Sequence, residues 1–358
     1  MDSSMNKRIV EYDILKIIAI ILVVLSHSTY YQIVSSYGGV DYQTYIASDS
    51  AEKTYKIFDK VREILYYFHM PMFMAISGTF FYIQVKNKRW CNFNQFLSNK
   101  FKRLLIPYIA FTLFYTIPLK YISDYFNNIS IARGIVGQLF LLGNSHLWYL
   151  YTLFVIFLIS FYILKLEMKV YIFVILYIVH LLGYYIKITI VGAPLQFLFW
   201  FSLGFLFESK REYYNKFIKN NRLYDLIIVM LFLVLILINF YIKNNSYFVS
   251  RIVVDVLAVL GSLICYNFSY NISILHKKIL NNVLFKNILI NGLGIYIFSD
   301  TLNYLILKLA YLLDNNFMFT STGIIIIVIS RFFMTFLMSL LITKLFKKLF
   351  KKYNWMVN

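Results

Sequence analysis

Apolar runs of some twenty residues alternate along this chain with short clusters of charge. No charged residue falls between Lys16 and Asp41, between Glu63 and Lys86, between Arg133 and Lys165, or between Lys187 and Glu208. About 20 apolar residues make a helix long enough to cross the hydrocarbon core of a bilayer. The pattern predicts spans at approximately 14–34, 64–84, 104–122, 146–164, 169–187, 194–208, 224–242, 251–271, 288–310 and 322–344. The fold class that follows is all-α, a polytopic membrane helix bundle of about ten transmembrane helices, with residues 1–358 as one domain. The sixth span is short and is expected to be tilted or partly enclosed. Pro107, Pro118 and Pro194 fall near span ends or inside a span, where neighbouring helices satisfy the freed backbone groups. No internal repeat or inter-domain linker is visible.

Composition agrees. Of the 358 residues, 60% are hydrophobic and 14% charged, against about 25% charged in a soluble domain. The net charge of +19 suggests a nucleic-acid partner only until its placement is read: the basic residues flank apolar segments, as membrane anchors do, and form no separate basic domain or arm. With both termini in the cytoplasm, 23 of the 35 Lys and Arg fall on the inner side and 10 on the outer, Lys16 and Arg331 lying within spans. The outer segment 35–63 reads as a long polar, tyrosine-rich loop, and the inner segment 85–103 as a strongly basic one. Cys91 and Cys265 sit in unlike settings, so neither a disulfide framework nor a metal site is expected. The first apolar run is too long for a cleaved leader.

Ionisable groups inside spans are costly and default to functional candidates. Here they are Lys16, His27, Asp255, Asp300 and Arg331, with His69, His146 and His180 close to or within spans. Lys16 can pair with Asp13 at i−3 or extend its head to the interface. Asp255 can pair with Arg251 at i−4. His180, in YIVHLLGYY, reads as a packing or hydrogen-bonding residue, and His276 as a solvated one. Asp300 and Arg331 are expected to pair between the ninth and tenth spans. His27, in IIAIILVVLSHST, lies fourteen residues beyond Asp13, about 21 Å along a helix, far from any inner-face ion.

These segments together resemble the membrane acyltransferase 3 family over most of the chain. EYDILKIIAIILVVLSHS is similar to a first helix with an Asp, a basic residue three positions later and a His closing the apolar run: Asp13, Lys16 and His27. FHMPMFMAISGTFFY, KFKRLLIPYI, HLWYLYTLFV and FLFWFSLGFLF resemble the family's later segments in order. Lys16 departs from the family's Arg, whose planar fork a lysine does not reproduce. In GLGIYIFSDTLNY, Ser299 and Asp300 stand where many members carry a histidine, so Asp300 is the natural substitute.

The resemblance implies an O-acyltransferase of the bacterial plasma membrane. It would move an acyl group, usually acetyl, from cytoplasmic acyl-CoA (acetyl-CoA) to a hydroxyl of a cell-surface or lipid-linked polysaccharide or glycolipid, as in capsules and O-antigens. His27 is then the central residue, as general base or transient acyl carrier, with Asp13 and Lys16 toward the donor end of its helix. Coenzyme A carries phosphates, so Lys100, Lys102 and Arg103 are the expected donor contacts. His146, Trp148 and Arg331 are assigned to the acceptor, and Trp148 is suited to stack on a sugar ring. Two other readings compete. A polysaccharide-precursor transporter or flippase would account for ten spans and buried charge, although no inverted repeat supports it. A polysaccharide polymerase would carry an arginine-rich outer loop, whereas 35–63 holds only Arg62.

Overall fold

The computed structural model describes residues 8–35, 38–90, 92–126, 129–142, 145–164, 170–275 and 282–358. Helix α1 (Val10–Ser28) leads into an antiparallel hairpin, β1 (Gln32–Ser35) and β2 (Gly38–Asp41), with Gln32 opposite Asp41. Helices α2 (Asp49–Lys86), α3 (Phe93–Ile122), α4 (Ile131–Leu139), α5 (Trp148–Ile163) and α6 (Val170–Gly183) follow. The remainder comprises α7 (Thr189–Asn220), α8 (Arg222–Ile242), α9 (Tyr247–Leu275), α10 (Val283–Leu313) and α11 (Ser321–Leu349).

Seven of these, α2, α3 and α7 to α11, are long and apolar enough to cross a membrane, and α5 and α6 are shorter apolar helices. Each expected span overlaps one helix. The tenth helix, α1, carries Glu11, Asp13 and Lys16 in its first turns and is apolar beyond them. The bundle is apolar outside as well as inside. Helix α8 exposes Leu226, Ile227, Met230, Leu233 and Leu237, and α11 exposes Ile325, Ile329, Phe333, Leu337 and Leu341. A surface of that extent suits lipid rather than water. Helix α1 lies innermost, against α2, α9, α10 and α11.

Two glycines set the tightest crossing. A Cβ on Gly78 of α2 would lie 1.9 Å from the Phe201 carbonyl oxygen, and one on Gly204 of α7 would lie 1.9 Å from that of Ala75. The two backbones therefore touch reciprocally, a packing only small residues allow. The Ser-Gly and Leu-Gly segments of the sequence are thus helix-contact features. In α3, π turns at Phe101–Leu105 and Thr112–Thr116 each precede a proline, Pro107 and Pro118. Proline removes an N–H and crowds the preceding turn, and the wider turn accommodates it.

Several expected boundaries are corrected. The first span stops at Ser28 rather than 34, and a hairpin follows. Gly38 and Gly39 have φ of 98° and 112°, which glycine adopts at no steric cost. The segment 35–63 is not one loop: α2 already begins at Asp49. Ser48 Oγ caps the Ala51 N–H at 3.3 Å and Lys56 pairs with Glu52 at 2.6 Å, so these turns are helical while too polar for a hydropathy reading. The basic segment 85–103 contains the start of α3. Nor is the sixth span short, since α7 runs 32 residues. Its polar end is tied to α1: Arg211 bonds Glu208 at 2.9 Å and Glu11 at 2.6 Å, and Tyr12 donates to Glu208. Cys91 and His276 lie outside the described residues.

Candidate active site

His27 occupies the last turn of α1, with its side chain 20% exposed, and its Nδ1 lies 2.9 Å from Asp300 Oδ1 on α10. The Tyr30 hydroxyl, from the turn after α1, donates to the same oxygen at 3.3 Å. Asp300 Oδ2 faces His146 Nδ1 at 3.3 Å, and His146 Nε2 lies 2.9 Å from the Ile297 carbonyl. Tyr296 in turn donates to the His146 carbonyl. The end of α1, the middle of α10 and the residues leading into α5 thus converge on one carboxylate.

The proton inventory follows from these partners. The Asp300 carboxylate 2.9 Å away favours the tautomer in which His27 carries its proton on Nδ1 and keeps a lone pair on Nε2. His146 meets an acceptor at each nitrogen. Its Nε2 donates to the carbonyl, while Nδ1 and Asp300 Oδ2 face each other with no hydrogen bond between them.

Arg331 departs from expectation. It does not pair with Asp300. Fully buried on α11, it donates through Nη1 to the Tyr30 carbonyl at 2.7 Å and lies 3.5 Å from the His27 carbonyl through Nη2. The last carbonyls of a helix have no partner within it, and a cation there also complements the helix dipole. Arg331 therefore clamps the end of α1 that bears His27, and as a fully enclosed group it is not placed to touch an acceptor. Asp300, with two histidines and a tyrosine against it, takes its partners from the other side.

Two cavities open onto this centre, and a third lies further along α1. Cavity A, about 480 Å³, and cavity B, about 530 Å³, share His27, Tyr66, His146, Trp148, Gln196 and Phe197. Cavity A continues to Glu63, Lys243 and Arg251. Cavity B continues beneath the hairpin to Gln32, Ser145, Tyr125 and Tyr304. Cavity C, about 340 Å³ and almost wholly apolar, lies toward the start of α1 between α1, α2, α7 and α9, and Pro71 lines both A and C.

Of the expected site residues, His27, His146, Trp148 and Asp300 come together. Asp13 and Lys16 sit at the opposite end of α1: Asp13 pairs with Arg8, and Lys16 lies 3.9 Å from Asp13 and 3.9 Å from the Phe80 ring centre. Lys102 and Arg103 are exposed, as a phosphate contact requires. Lys100 is not, and that expectation is corrected. Its ammonium is 3.6 Å from the Phe157 ring centre, with Phe96 and Trp90 completing an aromatic box, and the residue is 7% exposed. A cation so enclosed is held by ring faces rather than phosphate. Lys120, near the end of the third span, is fully buried and donates to Gln138 Oε1 at 3.0 Å. Tyr30, Ser145 and Tyr304 also escaped the sequence reading, although Tyr30 follows His27 by three residues.

A histidine–carboxylate pair within a bundle of apolar helices, with His27 lining cavities A and B and Asp300 lining B, is the chemical centre of the described residues. The family model described as an acyltransferase domain matches residues 9–344. The chain belongs to this family, acyltransferase 3, and is a membrane acyltransferase. No curated protein and no solved structure matches it.

Proposed function

We propose that this protein transfers an acyl group, acetyl in the first instance, from cytoplasmic acyl-CoA to a hydroxyl of a surface or lipid-linked glycan. The observation that carries the reading is the free Nε2 of His27 on the floor of cavities A and B, its ring held by Asp300. In the reaction Nε2 takes the proton of the acceptor hydroxyl as its oxygen attacks the thioester carbonyl. The C–O bond forms, the C–S bond breaks, and the thiolate leaves to be protonated as free coenzyme A. Asp300, beside both histidines, keeps the His27 ring oriented through the cycle.

Ten crossings with both termini inside put the hairpin and the mouths of A and B at the outer face. The 23-to-10 distribution of basic residues supports this orientation. The donor then approaches from the start of α1, along cavity C and past Pro71, with its acyl carbonyl at the deep end of cavity A near Val23. Lys102 and Arg103 remain the contacts for its phosphates. A cysteine replacing Ala47, exposed just ahead of α2, tests the orientation: it should react with an impermeant maleimide in intact cells, and reaction only after permeabilisation would reverse the topology. The activity itself is tested in sealed vesicles. Acetyl label supplied as acetyl-CoA at the inner face should appear on glycan, whereas a flippase would move glycan without acquiring label.

A further inference from the structure

One acceptor hydroxyl needs one approach to His27, yet two cavities meet there. The donor path accounts for the deep end of A at Val23 and Pro71, not for its mouth at Glu63, Lys243 and Arg251, nor for B. Both mouths lie at the hairpin end, on either side of the α2 ridge bearing Arg62, Glu63 and Tyr66. Each cavity also holds a buried polar atom with no hydrogen-bond partner. Besides the atoms of the His27–Asp300–His146 centre, among the described residues these include Ser145 Oγ in B and Arg251 Nε in A. A buried polar atom left unsatisfied costs about 1–3 kcal/mol, so these two mark positions where a ligand's polar groups would sit. The rim cations are already neutralised: Arg62 pairs with Asp59, Lys243 with Glu63, and Arg251 with Asp255 at 3.4 Å. Rims of paired charge, with Trp148 shared between the cavities and tyrosines Tyr67, Tyr125 and Tyr304 beyond it, suit uncharged hydroxyl-rich rings better than phosphate.

We propose that the acceptor is an internal residue of a glycan chain, bound with the acylated sugar over His27 and its neighbours on either side, one in cavity A and one in cavity B. The proposal rests on the acyl-transfer reading above and narrows its substrate to a chain occupied in both directions, excluding a monosaccharide or a chain end.

The test uses the full-length protein in lipid vesicles, labelled acetyl-CoA, and the host's surface polysaccharide after de-O-acylation, cut into fragments of increasing length. Fragments long enough to fill both cavities should be acetylated with kcat/KM at least about tenfold above the single sugar, and mass spectrometry should place the label on non-terminal residues. Ser145→Ala and Arg251→Lys, which remove one polar partner in each cavity and keep the local charge, should each narrow the difference between long and short fragments. Equal efficiency for the single sugar, label confined to chain ends, or a length dependence that only one of the two substitutions alters would overturn the proposal. Absence of transfer to any fragment by well-folded protein would instead overturn the acyl-transfer reading itself, and the proposal with it.

Discussion

Among the described residues, histidine meets a buried aspartate at two places, Asp300 and Asp255, that resemble each other until their free edges are compared. In the second, His180 of α6 is wholly enclosed. Its Nδ1 contacts the Gln196 carbonyl, and its Nε2 lies 3.2 Å from Asp255 Oδ1 on α9. Asp255 also accepts from Tyr177 at 3.2 Å and from Arg251 at 3.4 Å. Both ring nitrogens are committed, and a permanent cation balances the carboxylate. In the first, Asp300 has a histidine where Asp255 has an arginine, and His27 keeps one nitrogen uncommitted on a cavity floor. Burial and a carboxylate partner are common to both. The uncommitted nitrogen separates a group that can exchange protons with a substrate from one that ties helices together.

That contrast is broken or sharpened most directly by removing each histidine. His27→Ala should lower acetyl transfer in vesicles by about 10³-fold, within the range a general base contributes, with helical content and membrane insertion unchanged. His180→Ala strands Asp255 and Arg251 without a member of their network. It should lower the thermal midpoint in detergent, at a cost of about 3 kcal/mol, while activity per folded molecule stays within about threefold. Equal loss of activity in two folded proteins would remove the distinction.

The carboxylates extend the comparison at smaller amplitude. Asp300→Asn removes the charge that faces Nδ1 of His27 and of His146, so kcat should fall by about 10²-fold with the acceptor KM little changed. Asp255→Asn should again act on stability. A large change in acceptor KM for Asp300→Asn would mean that Asp300 contacts the sugar instead of orienting His27.

How much of this was legible beforehand depends on which forces act locally. Apolar runs mark the helices because a bilayer demands both length and continuity, so every expected span has its helix. The ends were misjudged where polar turns are held by caps and ion pairs, as at Ser48 and Glu52, or by contacts to a distant helix, as between Arg211 and Glu11. His27 stood out as a lone polar group closing an apolar helix, and the family resemblance gave it a role. Its partner was harder to place. Asp300 and Arg331 are isolated opposite charges on consecutive long helices, so sequence alone pairs them. The fold instead inserts the end of α1 beside both, and each takes a different part of it: the carboxylate the imidazole, the guanidinium the carbonyls. Lys100 was misread for the opposite reason, since a basic residue near a span end usually faces the interface, and here aromatic rings enclose it.

The clamp on α1 gives a third, smaller prediction. Arg331→Gln can satisfy one carbonyl but not two, and should lower kcat by about tenfold by loosening the turn that carries His27. Arg331→Lys, which keeps the charge at the helix end, should recover part of that loss without moving either substrate's KM. Recovery of protein level by Lys with no recovery of kcat would limit Arg331 to holding the fold.

The smallest effect is expected at the basic start of α3, where three neighbouring cations occupy two different environments. Lys102 and Arg103 are exposed, and Lys102 also lies 5.0 Å from the Trp355 ring centre, so one flank of each remains available to an anion. Exposed charge–charge contacts are weak, about 0.2–1 kcal/mol apiece. The double substitution Lys102→Gln, Arg103→Gln should therefore raise the KM for acetyl-CoA only about threefold, and high salt should produce a similar rise in the unaltered protein. Lys100 has no comparable access. Its ammonium is held by Phe157, Phe96 and Trp90, so Lys100→Gln should lower the thermal midpoint and leave the donor KM alone. Donor KM rising for Lys100→Gln and not for the exposed pair would mean that the aromatic box opens to receive the donor, and that the phosphate contacts lie inside the bundle.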